Sequence, residues 1–422
     1  MKNRQNEIDS YLNLHLRPVH KSFDFGNLTN IDQFRHHIYV SYIVICKNSQ
    51  ATIERCVNSI AQNMENGDEL IVLDTGSTDE TVHLVKKNMP QAKISVTNWK
   101  NDFSEVRNKA LKLASKDWVF YVDSDEWLDV DDGAQLKKIL FKVQAKNFKF
   151  VINPTFSDHS GQIYQTVGRI FPKKSSFHYY AKIHEEVRKE DQKLGYDVRH
   201  FACDDIILYH DGYDKEVLRD KDKIKRNIRL LQEMTCEEPQ NARWPFLLAR
   251  DGFDVLPQDK LKQLVKRTLD LVASDSLQEK YSPFAKKLLG RILLREGKTT
   301  QAVLSFKDVL QITGGEDSDA IYYIESFKIN EIIAEAKSIE VKMLRYLNKH
   351  KGMIDVNSDI SGNYYHIAQV ILECDIISAN YSHLFPLISE IPKNFSGDIK
   401  SSVKSAVKLY SKLQGDSKNE NN

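Results

Sequence analysis

Residues 118–128 read WVFYVDSDEWL, an apolar run of β-branched and aromatic residues that ends in three acids, Asp123, Asp125 and Glu126. Such a run predicts a buried strand that delivers carboxylates to its end. Two positions apart on an extended backbone, Asp123 and Asp125 lean to the same side and could together hold a hard cation with the phosphates it carries. Acidic turn residues end many strands, so the pair gains meaning only from its context. Upstream, residues 69–73 (ELIVL) predict a second strand, followed by Asp74, a small polar run and a helix. Within that run Ser77 and Glu80 have the spacing of a capping box, which needs no ligand, while Asp74 stands before it. A further strand over residues 39–45 leads into Cys46 and Lys47. Cys46 is either a small buried packing residue or a neighbour of a nucleotide base.

Three more segments carry chemistry. In TNWKNDFSEVRN, Asn101 or Asp102 can cap a helix running to about Ala114, which puts Arg107 and Asn108 one turn inside its positive end. A guanidinium there suits a diphosphate or ribose. Farther on, residues 182–186 (KIHEE) offer His184, Glu185 and Glu186. They are not a zinc-protease site, because H-E-x-x-H needs a second histidine where Arg188 stands. Either glutamate fits a general base that takes a proton from an acceptor, and either is equally readable as a surface acid. His210 ends the run IILY, as a capped structural histidine or as a nitrogen ligand to a cation at Asp125.

These residues need a scaffold. Strand and helix alternate over residues 38–150, as in an open, mostly parallel α/β sheet. Ligands of such sheets lie beyond the carboxyl ends of the strands, where Lys47, Asp74 and Asp123 would collect. Residues 151–209 hold short strand-like pieces and read as a β-rich acceptor-side region. After Asp214 the sequence becomes charged and leucine-rich, with Ile224, Ile228 and Leu231 on one helical face. Leu289, Gly290, Leu293, Gly297, Ala302, Phe306 and Val309 follow tetratricopeptide spacing, with Trp244, Leu247 and Leu248 as an earlier unit and Tyr364, Ile367 and Ala368 as a later one. An irregular helical bundle is the alternative. The expected division is an N-terminal arm (1–37), an α/β domain (38–215), a helical tetratricopeptide-like domain (216–412) and a polar tail (413–422).

Composition narrows the function classes. At 422 residues the chain is long enough for two or three domains. Sixty basic against 59 acidic residues leave +1, which offers no case for nucleic acid as a partner. No apolar run approaches the roughly 20 residues that span a bilayer. The polar start MKNRQNEIDS lacks a signal-peptide core, so a cytoplasmic location is expected. Five scattered cysteines with no C-x-x-C pair read as reduced packing residues.

Taken in order, IVICKN, VLDTGSTDET, NDFSEVRNKAL, YVDSDEWL, KIHEE and LYHDGY resemble family 2 glycosyltransferases of the GT-A fold. The arm, TNWKNDFSEVRN, KIHEE, HDGYD and the repeat-like tail are similar, more narrowly, to the sublancin-type peptide S-glycosyltransferases. This resemblance implies a GT-A, Rossmann-like nucleotide-sugar domain followed by an all-α tetratricopeptide-like domain. It implies inverting transfer of a hexose, typically glucose from UDP-glucose, to a cysteine thiol of a bacteriocin precursor, with Mg2+ or Mn2+. Asp74 would receive the uracil, Arg107 and Asp123 would hold the nucleotide, and Cys46, Lys47, Ser77, Asn101 and Ser124 would line the same site. Asp125 would bind the cation through the diphosphate, and His210 would complete its shell. Glu185 is the first choice of base, with His184 and Glu186 behind it. Where many family members have Asn-Glu after the first strand, this chain has Asn48-Ser49. Two other readings are a transferase that builds cell-surface glycans and a non-catalytic repeat scaffold. Helical tails of this kind can also mediate a homodimer.

Overall fold

The computed structural model describes residues 16–18, 38–129, 132–144, 150–158, 163–165, 167–189, 198–210, 221–350 and 365–380. The runs read as strands from their apolar character form β2 (Val40–Cys46), β3 (Glu69–Asp74) and β5 (Trp118–Asp123), and a fourth, β4, is Lys93–Val96. They lie side by side, all parallel, in the order β5-β2-β3-β4. Alternation explains their near-continuous hydrophobicity. Val40, Tyr42, Val44, Phe120 and Val122 face one core, while Ile43, Ile71, Val119 and Tyr121 face another across the sheet. A strand buried on both faces has no position to spare for polar residues until it reaches its end.

Beyond β5 the sheet becomes mixed. β9 (Ile170–Pro172) runs antiparallel to β5 and to β7 (Val151–Asp158), and β7 is parallel to β12 (His200–His210). A short β1 (Leu16–Pro18) and β6 (Glu126–Leu128) both pair antiparallel with β12. Within 38–150 the strands β2 to β5 are parallel, as expected, and residues 151–209 are rich in strand: β7, β8 (Ile163–Tyr164), β9 and β12 extend the sheet, while β10 (Phe177–Tyr180) and β11 (Glu186–Lys189) pair as a separate antiparallel ribbon. β12 pairs with β7 from His200 to His210 and also with β1 at Phe201–Cys203 and with β6 at Leu208–His210, which brings its end to the segment just after β5. The arm contributes at least an edge strand, and the remaining residues of 1–37 lie outside the described set.

Glu69, buried at the start of β3, locks the parallel half together. It accepts from Ser41 Oγ (2.6 Å), Ser115 N (2.6 Å) and Lys93 Nζ (2.5 Å). Burial alone would raise its pKa, but these donors outweigh it and bring the group down to about 2. A carboxylate depressed on folding stabilises above its unfolded pKa of about 4.3, and the contribution disappears as pH falls toward its folded value. Glu69→Gln is thus expected to lower stability at neutral pH by about 2 kcal/mol and to flatten the loss of stability between about pH 5 and about pH 2. Urea titrations of both proteins across that range provide the check.

The chain forms two compact units, residues 1–285 and 286–422. Helices Lys221–Glu237, Arg243–Asp251 and Gln258–Ser274 share the first unit with the sheet. Trp244, Leu247 and Leu248 are buried there. In the second unit a tetratricopeptide-like hairpin is present. Gly297 turns at φ 72° ahead of helix Thr299–Ile312, and a Cβ on Gly290 would stand 2.6 Å from the Phe306 ring. Ala302, Phe306 and Val309 pack with Ala320 and Ile324. The next helix, Ser318–Lys349, has 32 residues, too long for one arm of a repeat of about 34. Tyr364 and the polar tail lie outside the described residues. Among those described, no helix is long and apolar enough to cross a membrane.

Candidate active site

Asp123 ends β5 about one-third exposed and is gripped by two arginines. Arg107 Nη2 and Arg169 Nη1 each donate to Oδ1 at 3.0 Å, and Arg169 Nη2 donates to Oδ2 at 2.5 Å. Arg107 comes from helix Phe103–Leu113, whose cap is Asp102, accepting from Glu105 N at 2.9 Å. Asn101, the other candidate cap, is exposed at φ 59° just outside it. One turn in, Arg107 is buried, and its Nε donates to Glu185 Oε1 at 2.5 Å. The sequence suggests a guanidinium free to meet a diphosphate. In the structure two of its donor nitrogens are engaged by protein carboxylates. Asn108 is likewise occupied, clamping the backbone N and O of Tyr179 at 2.8 and 2.7 Å.

Arg169 escaped the sequence reading. Its one signal was a charge inside the apolar segment YQTVGRIF, where burial demands a partner. That partner set is Asp123 and Glu126, the latter at 2.9 Å. Glu126 also accepts from Asp123 N at 2.8 Å. The third acid of DSDE is therefore a buried brace for the first. Burial would raise Asp123, but the two guanidiniums prevail and hold it well below the usual carboxylate range. Burial pushes Glu126 up against the pull of Arg169.

Asp125 does not share a ligand face with Asp123. The strand ends at Asp123, the chain turns, and alternation no longer applies. Asp125, 43% exposed, instead faces His210, with Oδ2 and Nε2 3.5 Å apart. The register of β6 on β12, which pairs Glu126 with His210, creates this meeting between residues far apart in sequence. A carboxylate oxygen and an imidazole nitrogen fit Mg2+ or Mn2+, provided a ligand's oxygens fill the remaining positions. Among the described residues no group of three or more His, Cys, Asp or Glu could hold a metal alone.

Two loops interlock at the ends of β2 and β3. Asp74 accepts from Gly76 N, Ser77 N and Ser77 Oγ, so it shapes its own turn. The expected Ser77–Glu80 capping box is absent. Ser77 Oγ bonds Asp74 and receives Asn48 N at 2.8 Å, and Glu80 stands at the N-cap of helix Thr81–Asn88 without a side-chain cap bond. Thr78 N donates to Asn48 Oδ1 at 2.8 Å, Ser49 N to Thr81 Oγ1 at 2.7 Å, and Ser49 and Ser124 share a hydroxyl bond of 2.9 Å. Ser49, where many family members have Glu, thus ties this knot to the DSD turn. Lys47 is exposed beside it.

Cys46 lies beneath the knot, 2% exposed, with Sγ 3.7 Å from Asp74 Oδ1. Burial first, then Asp74, pushes its thiol up to about 12. Cys56, Cys203 and Cys374 are also buried, and Cys236 is exposed. Brief iodoacetamide treatment of the native protein is expected to add one carbamidomethyl group, at Cys236, and urea to release the other four. Peptide mass mapping reads both results.

The KIHEE loop reaches the site by an unusual path. Ala181 and His184 hold φ of 90° and 49°, conformations that cost of order 1–3 kcal/mol each unless their surroundings impose them. The three candidates in it part company. Glu185 meets Arg107, as above. Glu186 pairs with Arg188 at 2.8 Å and with Arg243 at 3.4 Å. Against the rise that burial would cause, Arg243 and Arg188 bring Glu186 below its ordinary pKa. His184 Nε2 lies 2.5 Å from Asp251 Oδ2.

A mixed sheet that collects acids, an arginine pair and an Asp–His couple beyond its parallel strands, with helices following, is the GT-A-type architecture of a sugar transferase. Residues 41–218 match the family described as Glycosyl transferase family 2. Over 368 residues it is 24% identical to the SPbeta prophage-derived glycosyltransferase SunS of Bacillus subtilis, a match covering 87% of this chain and 82% of that protein. It is 29% identical over 238 residues to a TPR repeat-containing protein of Synechococcus elongatus, covering 54% of this chain and 57% of the other. A crystal structure of S. aureus TarS 1-349 in complex with UDP-GlcNAc aligns at a TM-score of 0.34 and 17% identity, over 69% of this chain and 92% of that one. A glycosyltransferase domain over residues 41–218 sets aside the scaffold reading.

Proposed function

We propose that this enzyme transfers a hexose, glucose in the first instance, from a UDP-sugar with inversion to a cysteine thiol of a bacteriocin precursor peptide in the cytosol. The observation that carries the reading is the Arg107 bridge. One guanidinium contacts Glu185 and Asp123, at 2.5 and 3.0 Å, and so sets a carboxylate base beside the strand end where a donor sugar is expected. The thiol acceptor is carried over from the resemblance of TNWKNDFSEVRN, KIHEE and HDGYD to the peptide S-glycosyltransferases.

On this reading the interlocked loops around Asn48, Asp74 and Ser77 frame the nucleotide, with Cys46 below and Lys47 and Ser124 at the rim. Asp125 and His210 would hold Mg2+ or Mn2+ against the diphosphate, and its charge would stabilise the departing UDP. Glu185 takes the thiol proton as sulfur attacks the anomeric carbon. The carbon–sulfur bond forms on the face opposite the breaking bond to UDP, which leaves with the electron pair. Arg107 holds Glu185 aimed through a charge-assisted hydrogen bond. Its competitors are less suited, because Glu186 is neutralised by two arginines and His184 is turned to Asp251.

Intact mass spectrometry tests the proposal. A cysteine-bearing precursor peptide incubated with the protein, Mg2+ and UDP-glucose should gain one hexose, and its Cys→Ser form should gain far less. UDP-glucose consumed with no peptide modified would move the acceptor to a glycan.

A further inference from the structure

Five side chains from two helices that follow the sheet converge on the loop that carries Glu185. From helix Lys221–Glu237, Glu233 and Glu237 hold Lys182 Nζ at 2.7 and 2.6 Å. Helix Arg243–Asp251 reaches farther in. Arg243 Nη2 donates to the His184 carbonyl oxygen at 2.9 Å, and Asp251 Oδ2 bonds the His184 ring at 2.5 Å. Arg250 Nη2 also approaches that ring, at 3.3 Å. Both the backbone and the side chain of His184 are thus fixed from one helix. His184 is the residue before Glu185, and at φ 49° it holds a left-handed backbone that a non-glycine residue adopts only when something imposes it. Relaxing that dihedral would swing the next side chain away from Arg107.

We infer that Asp251 and Arg243 are positioning residues for sugar transfer, holding the 181–185 loop in the strained form that presents Glu185. Arg243 bonds His184, Glu186 and Tyr281, and Asp251 bonds His184 and Arg250, so both act on the loop and its surroundings. Their helix is therefore an integral part of the catalytic unit and not only a surface for presenting a partner. His184 acts through this clamp, as the handle by which Asp251 grips the loop.

The inference rests on Glu185 as base, and the experiment separates the two. In the full-length enzyme, Asp251→Asn and Arg243→Met are measured for transfer kcat, donor KM and thermal midpoint, alone and combined with Glu185→Gln. Asp251→Glu serves as the conservative variant. The expected result is a fall in kcat of about 10- to 100-fold for each single variant, as a misplaced catalytic group produces. Donor KM should stay within about twofold and Asp251→Glu should recover part of the loss. On the Glu185→Gln background, Asp251→Asn should cost almost nothing more, because a group that acts through Glu185 has nothing left to position. A full additional loss on that background, or a donor KM that rises in step with the fall in kcat, overturns the inference. An inactive Glu185→Gln beside a fully active Asp251→Asn overturns the inference alone, and a fully active Glu185→Gln overturns the base assignment and the inference with it.

Discussion

Glu185→Gln is expected to lower kcat for transfer to a cysteine peptide by about 100-fold at pH 7, the lower end of what general-base catalysis supplies. The amide keeps an oxygen that can accept from Arg107 Nε, now 2.5 Å from Glu185 Oε1, so the fold and the donor KM should hold. What disappears is the proton acceptor. A thiol ionises near pH 8.5, so above that pH the nucleophile needs progressively less help. The deficit should therefore narrow as pH rises from 7 to 9.5. Were the glutamate only a structural brace for Arg107, the deficit would stay constant with pH. Initial rates of hexose addition, read by mass spectrometry across that range, distinguish the two.

Arg107→Met is expected to have the largest effect on stability, about 3–5 kcal/mol, as when one partner of a buried ion pair is removed. The arginine side chain is 8% exposed and joins Glu185, itself 14% exposed, to Asp123. Methionine replaces the aliphatic stem but leaves Glu185 without its guanidinium and Asp123 with only Arg169. Uncompensated, these carboxylates repel each other and Glu126 nearby. Transfer should be lost even at temperatures where the variant is folded, because nothing then aims the base. Arg107→Lys should recover part of the stability but little of the activity, since a single ammonium cannot bridge two carboxylates with the fork geometry of a guanidinium. Denaturant titration with parallel rate measurements gives both values. A variant as stable as the parent would show that the bridge contributes no net free energy to the fold.

Several features were legible because they depend on local pattern. The strands 40–46, 69–74 and 118–123 announced themselves by nearly continuous apolar runs, since a strand with cores on both faces has few polar positions. The cap at Asp102 and the helix holding Arg107 follow from side-chain–backbone bonds three residues apart. The hairpin around Gly297 follows from one residue that must turn left-handed and another, Gly290, that must let Phe306 close. Residue types also limited the chemistry to hard-cation, phosphate and proton-transfer roles.

What pattern could not tell was which residue answers which. Ser77 and Glu80 have the right spacing for a capping box, yet Ser77 bonds Asp74 within its own turn and Asn48, a partner that the pairing of β2 with β3 brings close and the spacing does not reveal. Arg107 carries the charge a diphosphate would want, and two carboxylates from other segments reach it first. Arg169 and Asp251 had no motif, because burial beside a charge is a property of position and not of sequence neighbours. By itself the sequence determined the strands, the cap, the turn and the stock of reactive side chains, all of which rest on interactions within a few residues. Only the tertiary structure decided that Asp125 faces His210, that Arg107 joins Glu185 to Asp123, and that the helix at 243–251 grips the 181–185 loop. Those pairings span tens of residues, and they are chosen by strand register and by the high cost of leaving a buried charge alone.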